Sequence, residues 1–419
     1  MKFIQFDYEN KTLIIFITSI IWAINFRTTF KNIDNHMDSG SYSSLKFDPL
    51  LILIKNILSC LFFVGLYFQL KLSKYTEQNQ EELTRTTKGS VIIFQLTKTK
   101  TNKNKLFESV NFMNKLNNLK DKIIFFIKII FLIFIIYLIE EMYFIIANNH
   151  ILDRLICPIR NLGILITLLI FSPLLIKKTW VLYKHQFFPL IIILILSIFI
   201  IIFNILNIDR FKKIFRITFL LYLFSFILMG LEMVLIKYLV DSQFISIFFI
   251  LGTKGLIGSI IFIFINIFVN KVEFFNFFDK LLKFEYDEMY EEFGILPKIF
   301  YVISILILQY FKIIVINRFT ENHLLSVVMI TDILYFPFYI IERFWIESFD
   351  ISTQSTFYLN MSIGIINALL MLIFNEILEC KFWGLNKNLK KNIYERQSKE
   401  INLYLSQINS DADESFENE

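Results

Sequence analysis

Residues 123–147 read IIFFIKIIFLIFIIYLIEEMYFIIA, an apolar run interrupted toward its far end by two adjacent glutamates, Glu140 and Glu141. A hydrocarbon core about 30 Å thick is crossed by roughly 20 helical residues, because each adds only about 1.5 Å along the axis. The run is continuous. It therefore fits a helix and not a barrel strand, which would alternate apolar and polar residues over about ten positions. In lipid only those two architectures satisfy the backbone's own hydrogen-bonding groups. A helix carrying two carboxylates at that depth also needs groups to neutralise them.

The same reading, carried outward in both directions, gives ten segments: 12–26, 47–70, 123–147, 155–176, 187–205, 217–239, 244–269, 299–316, 324–346 and 357–378. The expected fold is an all-α membrane protein with ten transmembrane helices. Composition agrees, with 56% hydrophobic residues and only 19% charged, below the roughly 25% charged of a soluble chain. Fifty Phe among abundant Ile, Lys and Asn indicate a biased background, so only departures from it are informative. The first segment follows Asp7 and Glu9 and is not followed by a small-residue cleavage site. It is read as a retained span, not a signal peptide.

Basic residues set the orientation, since Lys and Arg in short loops stay on the cytoplasmic side. Lys74, Arg85, Lys88, Lys98 and Lys115 in the second connection, Lys177, Lys178 and Lys184 after the fourth span, and Lys381, Lys390, Lys391 and Arg396 after the tenth place both termini in the cytoplasm. The chain then divides into a cytoplasmic N-terminus (1–11), a first five-helix half (12–206), a second (207–379) and a basic, then acidic, cytoplasmic tail (380–419). The first half contains a polar, mobile insertion at 73–121, and the second an aromatic and acidic interfacial segment at 270–298. Because each half has an odd number of spans, the second enters the membrane upside down, the inverted-repeat arrangement of many secondary transporters. This expectation rests on counting, since no residue-level match between the halves stands out.

Charges within the spans make the functional shortlist, because each costs at least about 2.5 to 3.5 kcal/mol unless paired, hydrated or able to reach the interface. Glu140 and Glu141 reach a depth similar to that of Arg160 in the next, antiparallel span, so a carboxylate–guanidinium pair is expected there. Glu232 lies about 10 Å from the cytoplasmic end of the sixth span and Lys254 about 15 Å into the seventh. The short connection 241–243 would make those spans a hairpin and bring the two charges together. Gly252, Gly255 and Gly258 around Lys254 allow close helix approach or a cavity. Asp332 is a further interior acid. Lys237, Glu342, Arg343, Glu376 and Glu379 stand near enough to span ends to snorkel.

Other chemistry is weakly signalled. There is no Gly-rich phosphate loop and no His-Glu-x-x-His. His36, His150, His185 and His323 read as interfacial histidines, and Cys60, Cys157 and Cys380 have neither disulfide nor zinc spacing. No enzyme activity, metal or cofactor is expected. The net charge of +5 lies between helices, so the lipid bilayer and not nucleic acid is the expected partner. The sequons at Asn10 and Asn360 fall in the cytoplasm and too near lipid to be used.

Two short motifs carry a resemblance. Asn375-Glu376-Ile377-Leu378-Glu379 closes the last span and is followed by Gly384-Leu385-Asn386-Lys387-Asn388 and Lys390-Lys391-Asn392-Ile393; Tyr183-Lys184-His185-Gln186 leads into the fifth span. In these stretches the chain resembles the drug/metabolite transporter superfamily, particularly its EamA-like and nucleotide-sugar-transporter-like members. Trp383 and Leu389 stand where similar members often have Cys and Thr, and glycine is scarcer than in well-characterised ones. The resemblance covers the layout of residues 48–396. It implies inverted five-helix repeats, alternating access, a central solute site and an endomembrane location, in Golgi or ER.

The expected function is a secondary transporter of a small polar or anionic metabolite, which the nucleotide sugars would exemplify. Glu140, Glu141, Arg160, Glu232, Lys254 and Asp332 are the candidate binding or gating groups. The alternative is a multi-pass receptor or scaffold that transports nothing. The solute, the coupling ion and whether the chain forms a homodimer stay open.

Overall fold

A computed structural model describes residues 11–34, 49–71, 119–148, 153–176, 183–207, 218–243, 245–268, 295–345 and 351–378. Each of the ten expected segments is a helix: α1 Lys11–Asp34, α2 Pro49–Ser59, α3 Leu119–Asn148, α4 Asp153–Ile176, α5 Lys184–Asn207, α6 Thr218–Asp241, α7 Ile247–Phe268, α8 Ile295–Arg318, α9 Glu321–Trp345 and α10 Ile351–Phe374. The insertion up to residue 118, the interfacial segment up to residue 294, the tail beyond residue 378, His36, His150, Cys380 and the Asn10 sequon lie outside the described residues, while 119–121 and 295–298 are the first turns of α3 and α8. So do the side chains of Cys157, Glu342 and Arg343.

Among the described residues, four helices are long and apolar enough to cross a membrane: Ile52–Lys71, Ile123–Met142, Lys184–Phe203 and Ile247–Phe264. Lys11–Ile24, Arg160–Ile176 and Tyr358–Phe374 are shorter apolar helices. The chain thus has the length and composition of a multi-pass membrane protein.

Side-chain placement follows the same logic. Large apolar groups such as Leu61, Tyr67, Phe131, Leu174, Ile195 and Ile260 face outward, while Arg160, Glu232, Lys237 and Lys254 are buried. Water would penalise that outer surface, whereas lipid tails are its natural neighbour. Between helices the core is filled by Ile133, Leu165, Leu168, Met233, Leu239, Val315, Leu324, Val327 and Met371, all essentially inaccessible.

α2 is not a single rod. It continues as a helix at 62–71 after a two-residue turn at Cys60 and Leu61. The turn is closed by tight bonds of the 3₁₀ type, from Leu61 N to Leu58 O (3.0 Å) and from Phe63 N to Cys60 O (3.0 Å). The step lies just past the place where α7 crosses. There a Cβ on Gly255 would stand 2.6 Å from the Asn56 carbonyl oxygen and 2.5 Å from Ser59 Cβ. Only glycine permits that approach.

The helix neighbourhoods form a pattern. If five is added to each helix number, counting from ten back to one, the more extensive packings map onto one another. α1 with α9 becomes α6 with α4, α3 with α6 becomes α8 with α1, α3 with α7 becomes α8 with α2, and α4 with α5 becomes α9 with α10. Three more pairs map onto themselves: α2 with α7, α4 with α9 and α5 with α10. Slighter packings, such as α8 with α9 or α6 with α8, lack a counterpart of like extent.

Candidate functional site

The α2–α7 crossing positions two lysines. Lys55 immediately precedes Asn56 and Lys254 immediately precedes Gly255, so both cations flank the closest backbone approach. α3 packs against α7 beside them, and its consecutive carboxylates take one lysine each. Lys55 Nζ lies 2.9 Å from Glu141 Oε1, and Lys254 Nζ is paired with Glu140 Oε2. The other oxygen of Glu140 accepts from Gln309 Nε2 on α8 at 3.1 Å. One turn below, Tyr137 meets Asn56 Nδ2 at 3.5 Å.

A third pair closes the cluster. Lys312 Nζ on α8 donates to both oxygens of Glu232 on α6, at 2.7 Å each. It also sits 5.9 Å from the centre of the Trp22 ring on α1, a cation over an aromatic face. The Glu232 side chain is 2% exposed and that of Glu140 is 19% exposed, so the first is the more fully enclosed. Glu232, Lys254, Gln309 and Lys312, with Ile136, Ile236, Ile250 and Ile313, line a cavity of about 10 Å³, about the space one water needs.

The cluster is balanced, with Lys55, Lys254 and Lys312 set against Glu140, Glu141 and Glu232. Balance matters because a buried charge stripped of its partner costs about 3–5 kcal/mol.

The pairing departs from expectation. Arg160 was expected against Glu140 and Glu141; its partner here is Asp332 on α9, whose second oxygen accepts from Asn161 Nδ2 at 3.0 Å. Glu232 was expected against Lys254. The two do share the cavity, but Glu232 is held by Lys312 and Lys254 by Glu140. The physical reason is that α6 packs on α3, α4 and α8, α7 on α2 and α3, and α4 on α6 and α9. Helices consecutive in sequence are not the main partners. Lys55, Lys312 and Gln309 were overlooked, although each interrupts an apolar run just as Lys254 does.

Two other polar groupings lie at helix ends. Lys237, expected to snorkel, is instead 2% exposed and caps the C-terminus of α8 through the carbonyls of Ile316 (2.7 Å) and Phe319 (3.0 Å), with Asp241 beside it at 3.0 Å. Its positive charge suits the negative end of that helix. Glu376, also expected at the interface, is reached by His185 Nε2 at 3.1 Å. Next to it, Asn375 donates to Asn322 O (2.9 Å) and Ser326 Oγ (2.7 Å), and its carbonyl accepts from Lys11 Nζ at 2.5 Å. The ends of α1, α5, α9 and α10 are thereby tied together. His323 has a partner as well, Thr320 Oγ1 at 2.7 Å. No cluster of His, Cys, Asp and Glu fit for a metal occurs among the described residues. Comparison with protein families, with curated proteins and with solved structures finds no match for this chain.

Proposed function

We propose that this chain is a ten-span secondary transporter, of the drug/metabolite transporter type, that moves a small polar or anionic metabolite by alternating access. The observation that carries this reading is the five-helix shift relating the principal helix packings. With five spans in each half, such a shift relates one half to an inverted copy of itself, and a solute site then belongs at the interface between the copies. The Lys and Glu cluster lies there, drawing on α2 and α3 from the first half and α6, α7 and α8 from the second.

Rocking one half against the other would open the cluster first to one side and then to the other. In this reading an arrangement whose cavity has room for about one water is the closed form of the cycle. In this reading Lys254 and Lys312 receive the solute, Glu140 and Glu232 hold them when the site is empty, and Arg160 with Asp332 joins the halves at α4 and α9. The test is uptake of radiolabelled phosphate, succinate and UDP-glucose into liposomes carrying the purified protein, beside empty liposomes. Saturable uptake of any one supports the reading. Its absence for all three from folded, oriented protein overturns it in favour of a receptor or scaffold.

A further inference from the structure

The charge balance of the central cluster decides what must travel with an anion. Resting on the transport reading above, we infer that anion entry at Lys254 is coupled to proton uptake by Glu140, so that the protein is an anion–proton symporter.

The argument begins with which pair can open. Lys312 grips both oxygens of Glu232, and that carboxylate is 2% exposed. Lys254 meets one oxygen of Glu140, whose second oxygen accepts from the neutral Gln309 amide, and this carboxylate is the more exposed of the two. An anion reaching Lys254 from the cavity displaces Glu140, which then stands in the bundle as a carboxylate without a cation.

Among the described residues, every neighbouring charge is already engaged. On α3 itself Glu141 follows directly and is paired with Lys55 of α2, and Tyr137 lies one turn below, toward Asn56 of α2. From α7 comes Lys254, now occupied by the anion. From α8 come Gln309 and Lys312, the latter holding Glu232 of α6 across the cavity. The adjacent Glu141 carboxylate makes a second negative charge at Glu140 still less favourable. A carboxylate left in such a place takes up a proton and becomes neutral, because solvating the ion there would cost far more.

The cycle balances. A proton leaves water on the entry side and bonds to a carboxylate oxygen of Glu140 as the anion takes Lys254. Both cross with no net charge added to the closed cluster. On the exit side the anion departs, Lys254 returns to Glu140, and the proton goes to water there. Glu140 is the proton carrier and Lys254 the anion site.

The first test needs no solute. Purified Lys254→Met protein at neutral pH should show the infrared carbonyl band of a protonated carboxylic acid, absent from the wild type and lost again in Lys254→Met/Glu140→Gln. Lys254→Gln, nearly isosteric and polar, serves if the Met variant does not fold. Absence of the band in the folded variant overturns the inference and leaves the transport reading intact.

The second test uses the radiolabelled phosphate, succinate and UDP-glucose of the uptake assay. A gradient of one pH unit, acid outside, should stimulate uptake of whichever of them is carried, and should concentrate the singly charged form of phosphate or succinate about tenfold inside the vesicles, since one proton over one unit supplies a tenfold ratio. Glu140→Gln should lose this stimulation whatever its absolute rate. Exchange of labelled for unlabelled substrate without any stimulation by the gradient overturns the inference alone. Failure of both exchange and uptake removes the transport reading itself.

Discussion

His185 Nε2 lies 3.1 Å from Glu376 Oε1, and this contact joins residues 183–186 to residues 375–378 across the bundle. The two stretches are separated by most of the second half in sequence, yet one leads into α5 and the other leaves α10, one of the three pairs that the five-helix shift maps onto themselves. Glu376 takes a positive φ of 58°, a left-handed conformation that costs a non-glycine residue about 1–2 kcal/mol. It ends α10 with the two bonds that close such a helix terminus, from Ile377 N to Leu372 O (2.9 Å) and from Glu376 N to Ile373 O (3.1 Å).

That conformation yields a graded prediction. Glu376→Ala keeps the backbone cost and loses the His185 contact, so it should be the most destabilised. Glu376→Gly loses the contact but is relieved of the backbone cost, and should be more stable than the alanine variant by about 1 kcal/mol. Thermal unfolding in detergent measures both. Equal stabilities would mean that the left-handed turn carries no cost.

The helix ends tied by Lys11, His185 and Asn375 must share one membrane face. In protein whose cysteines have been replaced by serine, Lys184→Cys and Leu378→Cys should both react with a membrane-impermeant thiol reagent from the same side of sealed vesicles. Labelling from opposite sides would break the arrangement of α5 and α10 described here.

The Lys312 and Glu232 pair should behave as a unit. Glu232→Gln leaves Lys312 buried without its carboxylate and should cost about 3–5 kcal/mol. Glu232→Gln/Lys312→Met removes both charges and should lose much less than the sum of the two single changes, as groups in contact do. Additive losses in unfolding would show that the two residues are not coupled.

Two glycines separate backbone clashes from side-chain clashes. A Cβ at Gly255 meets the Asn56 carbonyl, which cannot step aside, whereas one at Gly65 meets only ring carbons of Phe248, at 2.7 Å and 2.8 Å. Gly255→Ala should lower stability by about 1–3 kcal/mol as an overpacked contact. Gly65→Ala should be destabilising in the wild type and nearly silent beside Phe248→Ala. A silent Gly255→Ala would mean that α2 and α7 are not held at this spacing.

The helices were legible in the sequence because each is a long apolar run, and the burial of charge was legible because lipid makes a lone ion costly. Glu140, Glu141, Arg160, Glu232, Lys254 and Asp332 all proved to sit in ion pairs. Their partners were not legible. Nearness in sequence pairs charges on consecutive helices, as with Glu232 and Lys254, whereas in the bundle Glu232 meets α8 of its own half and Lys254 meets α3 of the other. Nor did the sequence distinguish Lys237, which caps a neighbouring helix, from a lysine that bends outward. Hydropathy registers that a cation stands near a span end, not whether another helix ends beside it.

Ion pairs between the halves also fix an order of events during synthesis. Glu140 and Arg160 emerge with the first half, but Lys254 and Asp332 are made only with α7 and α9. Until then the early helices carry charges whose counterparts do not yet exist, so they cannot settle into lipid as finished pieces. A chain cut short after α5 lacks Lys254 and Asp332 for good, and should be degraded faster than the whole chain.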